Sequence, residues 1–196
     1  MKNRTAKIIR NTKETKIEVA LNLDGTGKYS INTGVGFLDH MLSALAKHAL
    51  FDLSVLAKGD LEIDEHHTVE DIGICLGQAI DQALGERRGI GRYGFWAPLD
   101  EALAQAVIDF GGRSYLVWNV KFRREKIGDL PTELLEDFFK ALSDNARANI
   151  HINLPYGRNE HHMAEAIFKA TARALRQAVA IDVKNSGEVP STKGKI

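Results

Sequence analysis

The 196 residues carry 26 Lys and Arg against 26 Asp and Glu, for a net charge of zero, and 44% of them are hydrophobic. This is the composition of a globular protein with a sizeable core, in one domain or two small halves, and its charge gives no footing to nucleic-acid or membrane-surface binding. Cys75 is the sole cysteine, which excludes an intrachain disulfide; the basic N-terminus lacks the apolar stretch of a secretory signal and no run is long enough to span a membrane, so the expected location is the cytoplasm.

Residues 7–10 and 15–23 read as strands joined through Asn11-Thr12-Lys13-Glu14, the second alternating polar and apolar with the period of a half-buried strand. Asp24-Gly25-Thr26-Gly27 turns the chain toward a third strand at 29–32. Gly34-Val35-Gly36 precedes a helix over 37–49, followed by a strand at 51–57, a turn at Gly59-Asp60 and a helix from His66 to near Gly85. The glycine-rich, basic stretch 85–94 is the natural junction between halves. Strands at 103–110 and 115–120 flank Gly111-Gly112, and Thr132 reads as the N-cap of a helix over 133–146. A strand at 150–154, a turn at Pro155-Tyr156-Gly157 and a helix to about Val179 follow, and a polar tail begins at Asn185.

The order helix, strand, turn, His-His-x-x-Glu helix occurs twice, and 37–53 can be laid beside 134–150 with Ala44-Leu45 on Ala141-Leu142. The expected architecture is a duplicated α+β unit, 1–88 and 89–184, with halves packed together and a tail, 185–196. On that overlay His40 falls opposite Asp137.

The two helix starts are His66-His67-Thr68-Val69-Glu70 and His161-His162-Met163-Ala164-Glu165, which hold four of the seven histidines. Residues three and four apart share a helix face, so each glutamate crowds its two histidines, and imidazole with carboxylate is half of a transition-metal site suited to Mn, Zn or Fe. Adjacent histidines diverge around the helix, so two ions shared between two such helices is the natural arrangement. One copy alone would pass for a solvated helix start; two copies inside a repeat point to metal. His48 and His151 read as hydrogen-bonded structural residues, and Cys75 as packing.

Cations gather in a few places: Arg92 in the glycine-rich stretch, Arg113 after Gly111-Gly112, Lys169 two turns after His161, and Lys193 beside Ser191. Guanidinium forks, ammonium groups and freed backbone amides are what a phosphate monoester needs. Arg87, Arg88 and Lys195 read instead as solvated surface. Gly89-Ile90-Gly91-Arg92-Tyr93-Gly94 has the form of a dinucleotide fingerprint but not its strand-and-helix setting. Two metals beside a phosphate suit a phosphatase, a reaction in which the metals bind a substrate nitrogen, or ions that merely glue subunits together.

Gly36-Phe37-Leu38-Asp39-His40-Met41-Leu42, Pro98-Leu99-Asp100-Glu101-Ala102-Leu103, Asp109-Phe110-Gly111-Gly112-Arg113, the two His-His segments and Ser191-Thr192-Lys193-Gly194 together resemble imidazoleglycerol-phosphate dehydratase of histidine biosynthesis, over nearly the whole chain. The resemblance implies a fold like that of domain 2 of ribosomal protein S5, duplicated, and an assembly of 24 subunits with sites at subunit interfaces. It implies the monofunctional form, dehydrating imidazole glycerol phosphate to imidazole acetol phosphate with two Mn²⁺ per site. Its metal ligands fall on His40, His66, His67, Glu70, His161, His162 and Glu165, with Asp137 where many members have histidine. Its substrate positions fall on Glu14, Arg92, Arg113, Lys169, Ser191 and Lys193; Ala44 replaces a usual glutamine. In the implied chemistry the metal-held imidazole expels the neighbouring hydroxyl and Glu14 transfers the proton. The catalytic set is thus Glu14, His40, His67, Glu70, His162 and Glu165.

Overall fold

Strands β1 (Thr5–Asn11) and β2 (Lys16–Asn22) form an antiparallel hairpin, and β2 continues antiparallel onto β4 (Asp52–Lys58), which pairs in parallel with β3 (Tyr29–Asn32). The computed structural model describes residues 4–94, 97–183 and 187–196; Asn185 and Ser186, the start of the expected tail, lie outside the described residues. Ile17, Val19 and Leu21 alternate inward along β2, which is the period-two signal realised. Helix α1 (Gly36–Ala49) links β3 to β4, and α2 (His66–Leu84) follows β4.

The second half repeats this plan. Strands β5 (Tyr93–Gly94) and β6 (Ala97–Leu99) both pair antiparallel with β7 (Ala102–Asp109). β11 (Asn149–Tyr156) lies antiparallel to β7 and parallel to β8 (Tyr115–Asn119). Helix α3 (Leu134–Ala146) precedes β11, and α4 (Glu160–Val179) follows it. The sheet orders β1-β2-β4-β3 and β5-β7-β11-β8 correspond, with β5 and β6 together lying along β7 where β1 alone lies along β2, so the duplication seen in the sequence is a duplication of topology. Among the described residues only the second half carries a small hairpin, β9 (Lys126–Ile127) and β10 (Leu130–Pro131), ahead of its first helix.

The four helices pack between the sheets: α2 covers β1 and β2, α4 covers β5 to β7, α1 lies along α4 and α2 along α3. One apolar core runs through both halves. The α2–α3 contact depends on Gly73 and Gly77, one helical turn apart. A Cβ at Gly73 would come 2.7 Å from the Phe138 carbonyl oxygen, and one at Gly77 would come 2.8 Å from that of Leu142. Backbone touches backbone there, and a side chain has no room.

Four expectations change. Thr132 does not cap α3: its hydroxyl donates to the Arg124 carbonyl at 2.8 Å, and Glu133 stands at the cap position. Pro155 and Tyr156 belong to β11, which bulges between Asn153 and Tyr156 instead of turning. The glycine-rich junction contains strand β5, because Tyr93 and Gly94 find edge partners on β7. Arg87 is not solvated; it is 3% exposed, bonds Asp81 at 2.5 Å and the Ala146 carbonyl at 3.0 Å, and so ties the junction to the C-terminus of α3. Arg88 is exposed as expected, beside Glu86.

Candidate functional site

Both histidine pairs begin helices whose first amides are bonded in the same way. Asp64 accepts from the His66 amide at 2.8 Å and Asn159 from the His161 amide at 2.9 Å, each two residues ahead of the histidine it meets. A short polar side chain accepting from an orphan amide is ordinary helix-start chemistry; here it also fixes where the imidazoles leave the backbone.

The first histidine of each pair meets a ligand from the neighbouring helix. Beside α1, His161 Nε2 lies 3.3 Å and His40 Nε2 lies 3.7 Å from Glu165 Oε2. The ligand atoms of His40, His161 and Glu165 all fall within 4.8 Å of one another. Beside α3, His66 Nδ1 lies 3.8 Å from Asp137 Oδ2. Asp137 therefore occupies the place in one half that His40 occupies in the other, as the overlay of the repeats requires. Glu70, one turn after His66, is half-buried. Burial pushes the Glu165 carboxyl up, but Lys169, at 2.7 Å, together with His40 and His161 outweighs it and holds the group ionised. Two nitrogens and a carboxylate oxygen converging, half-exposed and without thiol, form a donor set that fits Mn²⁺.

The second histidine of each pair turns to a carboxylate in a loop. His67 Nδ1 lies 3.0 Å from Asp60 Oδ2, and His162 Nδ1 lies 2.9 Å from Glu101 Oε2. These contacts raise the affinity of both imidazoles for a proton, and hydrogen bonds from His162 and the Asn159 amide pull Glu101 down to about 2. Glu14 sits on the other side of His67, 4.0 Å from Nε2. Its hairpin is pinned to α2 by Asp71, which accepts from the Thr15 hydroxyl at 2.5 Å and from Arg10 Nε at 2.8 Å. Glu101 falls in the Pro98–Leu103 segment that carries the resemblance, but nothing in that segment, or around Asp60 and Asp71, points to a partner; a carboxylate near a histidine in space but not in sequence leaves no local signal.

The cations divide. Arg92, Arg113, Ser191 and Lys193 line one cavity of about 970 Å³, together with Lys195 and the glycines of 89–91 and 111–112. Arg92 is braced by Asp109 and donates to the Pro190 carbonyl at 2.8 Å, which brings the tail over the cavity. Lys169 is elsewhere, on Glu165. His48, beside Lys169 on α1, has its proton affinity lowered by burial and by that cation. His151 lies exposed on β11 between buried Ile150 and Ile152, away from the helix starts. Cys75 is fully buried, and that burial pushes its thiol up to about 11.

The cavity is remote from the histidines. The Arg92 amide bonds the Ala178 carbonyl at 2.7 Å, so the cavity stands at the C-terminal end of α4 while His161 and His162 stand at its start. At about 1.5 Å per residue the two are roughly 25 Å apart along the helix.

A duplicated α+β scaffold that presents paired His/carboxylate clusters at its helix starts and a separate cationic cavity is the architecture of a small-molecule enzyme. The fold is similar to that of imidazoleglycerol-phosphate dehydratase from Staphylococcus aureus (TM-score 0.82, 40% identity, 90% of this chain and 99% of that one). It is equally close to the enzyme from Pyrococcus furiosus (TM-score 0.83, 37% identity, 96% and 100%). In sequence, the imidazoleglycerol-phosphate dehydratase of Paracoccus denitrificans is 57% identical over 194 residues, 98% of this chain and all of that one, which fits the monofunctional form. The family model for imidazoleglycerol-phosphate dehydratase matches residues 33–175. The chain belongs to the imidazoleglycerol-phosphate dehydratase family, whose members are hydro-lyases.

Proposed function

We propose that the chain dehydrates D-erythro-imidazole glycerol phosphate to imidazole acetol phosphate in the cytoplasm, for L-histidine synthesis, with two Mn²⁺ per active site. The observation that carries this reading is the pair of pseudo-equivalent clusters, His40 with His161 and Glu165, and His66 with Asp137. Glu70, which follows His66 at the spacing by which Glu165 follows His161, would complete the second cluster, and His67 and His162 would add their Nε2 atoms as further ligands. Bound there, the ions would act as Lewis acids on the substrate imidazole, so that its electrons can expel the adjacent hydroxyl.

The chain's own groups do the rest. Glu14, on the Nε2 side of His67, takes the proton from the neighbouring carbon; the hydroxyl and that proton leave as water, and the enol becomes the ketone. Arg92, Arg113, Ser191 and Lys193 hold the phosphate through guanidinium forks, ammonium and hydroxyl. Lys169 keeps Glu165 ionised and offers a cation near the imidazole.

A substrate with three carbons between ring and phosphate cannot bridge some 25 Å within one chain. The phosphate cavity of one subunit must meet the histidine clusters of another, which supports a large assembly, for which we propose 24 subunits. The test is turnover after chelation and again after Mn²⁺ is added. Metal-restored imidazole acetol phosphate without phosphate release supports the reading; release of inorganic phosphate overturns it.

A further inference from the structure

His67 and His162 each use Nδ1 on a loop carboxylate, Asp60 at 3.0 Å and Glu101 at 2.9 Å. A neutral imidazole has one N–H and one lone pair, and the nitrogen that donates decides which nitrogen is left to bind a metal. We infer that Asp60 and Glu101 are positioning residues that fix the Nδ1–H tautomer and ring orientation of His67 and His162, leaving Nε2 as the metal-binding atom in both halves.

The two carboxylates do not occupy equivalent positions in the repeat. Asp60 follows β4, in the loop that leads into α2. Glu101 lies in the turn between β6 and β7, whose counterpart in the first half is the β1–β2 hairpin that carries Glu14. A copied loop would have given both halves the same acid by descent. Instead, different loops deliver a carboxylate to the same ring nitrogen, so the contact answers a requirement of the histidine and not only an inheritance. The arrangement also separates duties: with Asp60 on Nδ1 of His67, the hairpin acid Glu14 is left on the Nε2 side, 4.0 Å away, free for the substrate. In the second half the hairpin acid is used up in orientation. Its other oxygen, Oε1, accepts from the Asn159 amide at 2.8 Å, so Glu101 fixes the imidazole and the helix cap that carries it together.

The inference builds on the metal reading proposed above, and its test separates the two. Mn²⁺ affinity and stoichiometry are measured by the free-ion paramagnetic resonance signal for the full assembled protein and for Asp60→Ala, Asp60→Asn, Glu101→Ala and Glu101→Gln. Thermal midpoints of the metal-free proteins are recorded alongside. An amide oxygen still accepts from Nδ1–H, whereas alanine cannot. The expected result is Mn²⁺ binding weakened about 10–100-fold in the alanine variants, substantially rescued by Asn and Gln, with the Asp60 pair sharing one metal-free midpoint. Alanine variants that bind Mn²⁺ as tightly as the parent overturn the inference while leaving the metal site intact. Binding that falls only in step with the metal-free midpoint, equally for alanine and amide, also overturns it, since that is loss of fold. A parent protein that takes up no Mn²⁺ overturns the metal reading itself.

Discussion

The carboxylate of Asp129 accepts from the backbone amide of Phe37 at 2.9 Å, and through its other oxygen from Gly36 at 2.6 Å. Helix α1 has no side-chain cap of its own, since Val35 stands at its N-cap, so the β9–β10 hairpin of the second half supplies one. The capped turn carries His40, and the Phe37 ring packs edge-on against His161 at 5.2 Å. From the same hairpin, Lys126 reaches Glu65 at the start of α2, 3.2 Å away. Removing Asp129 leaves two orphan amides, so Asp129→Ala should cost about 0.5–2 kcal/mol and loosen His40. Denaturant unfolding of the metal-free protein checks this; a stability equal to the parent's would show that water caps the helix as well.

The α2–α3 contact gives a larger effect. Gly77→Val puts a branched side chain where even a Cβ would stand 2.7 Å from that of Asn145 and 2.9 Å from the Ala146 amide. These neighbours are mostly helix backbone and cannot swing aside. Overpacking of this kind costs about 1–3 kcal/mol or more, and it would push His66 away from Asp137. Thermal unfolding and Mn²⁺ content should fall together; a variant with the parent's midpoint would mean that the helices slide apart freely.

The period-two strand at 16–22, the two His-His-x-x-Glu helices and the equivalence of His40 with Asp137 were legible because each is a local pattern or a repeat of one. β5 and β6 were not: two- and three-residue strands have no period, and they exist because β7 offers an edge. Arg87 looked like surface because its partners, Asp81 and the end of α3, come together only when the halves pack. Asp60 and Asp129 sit in turns where aspartate is common anyway, and their work is visible only from the nitrogen each one faces. Arg92, Arg113, Ser191 and Lys193 stood out one at a time as candidate phosphate groups, but nothing in the sequence said that they share one cavity, without Lys169, at the far end of α4 from the histidines.

Proton competition sets how metal uptake should vary with pH. Hydrogen bonds to Asp60 and Glu101 lift His67 and His162 above the ordinary value of 6.5. The protonated ring has no lone pair for a metal, so each bound ion must displace that proton. Mn²⁺ affinity is therefore expected to be full at alkaline pH and to fall as pH drops through the raised values, with its midpoint above 6.5. Mn²⁺ titrations between about pH 6 and 8.5 check this; a midpoint below 6.5 would mean that the carboxylates do not act on the rings in solution.

The separation between Arg92 and His162 makes a prediction about the assembly. Arg92 is fastened at Ala178 and His162 stands in the first turn of α4, so no movement short of breaking the helix brings them to one substrate. If a working site takes its phosphate grip from one subunit and its histidines from another, two inactive proteins can repair each other. Arg92→Ala should raise KM steeply with Mn²⁺ content unchanged, and His162→Ala should lose turnover. When the two variants are dissociated, mixed and reassembled, some sites combine an intact Arg92 from one chain with an intact His162 from another. Random mixing of equal amounts makes about a quarter of the sites whole, and these should show the parent's KM. Activity of the mixture no greater than the average of the two variants would place both residues in a site formed by a single chain.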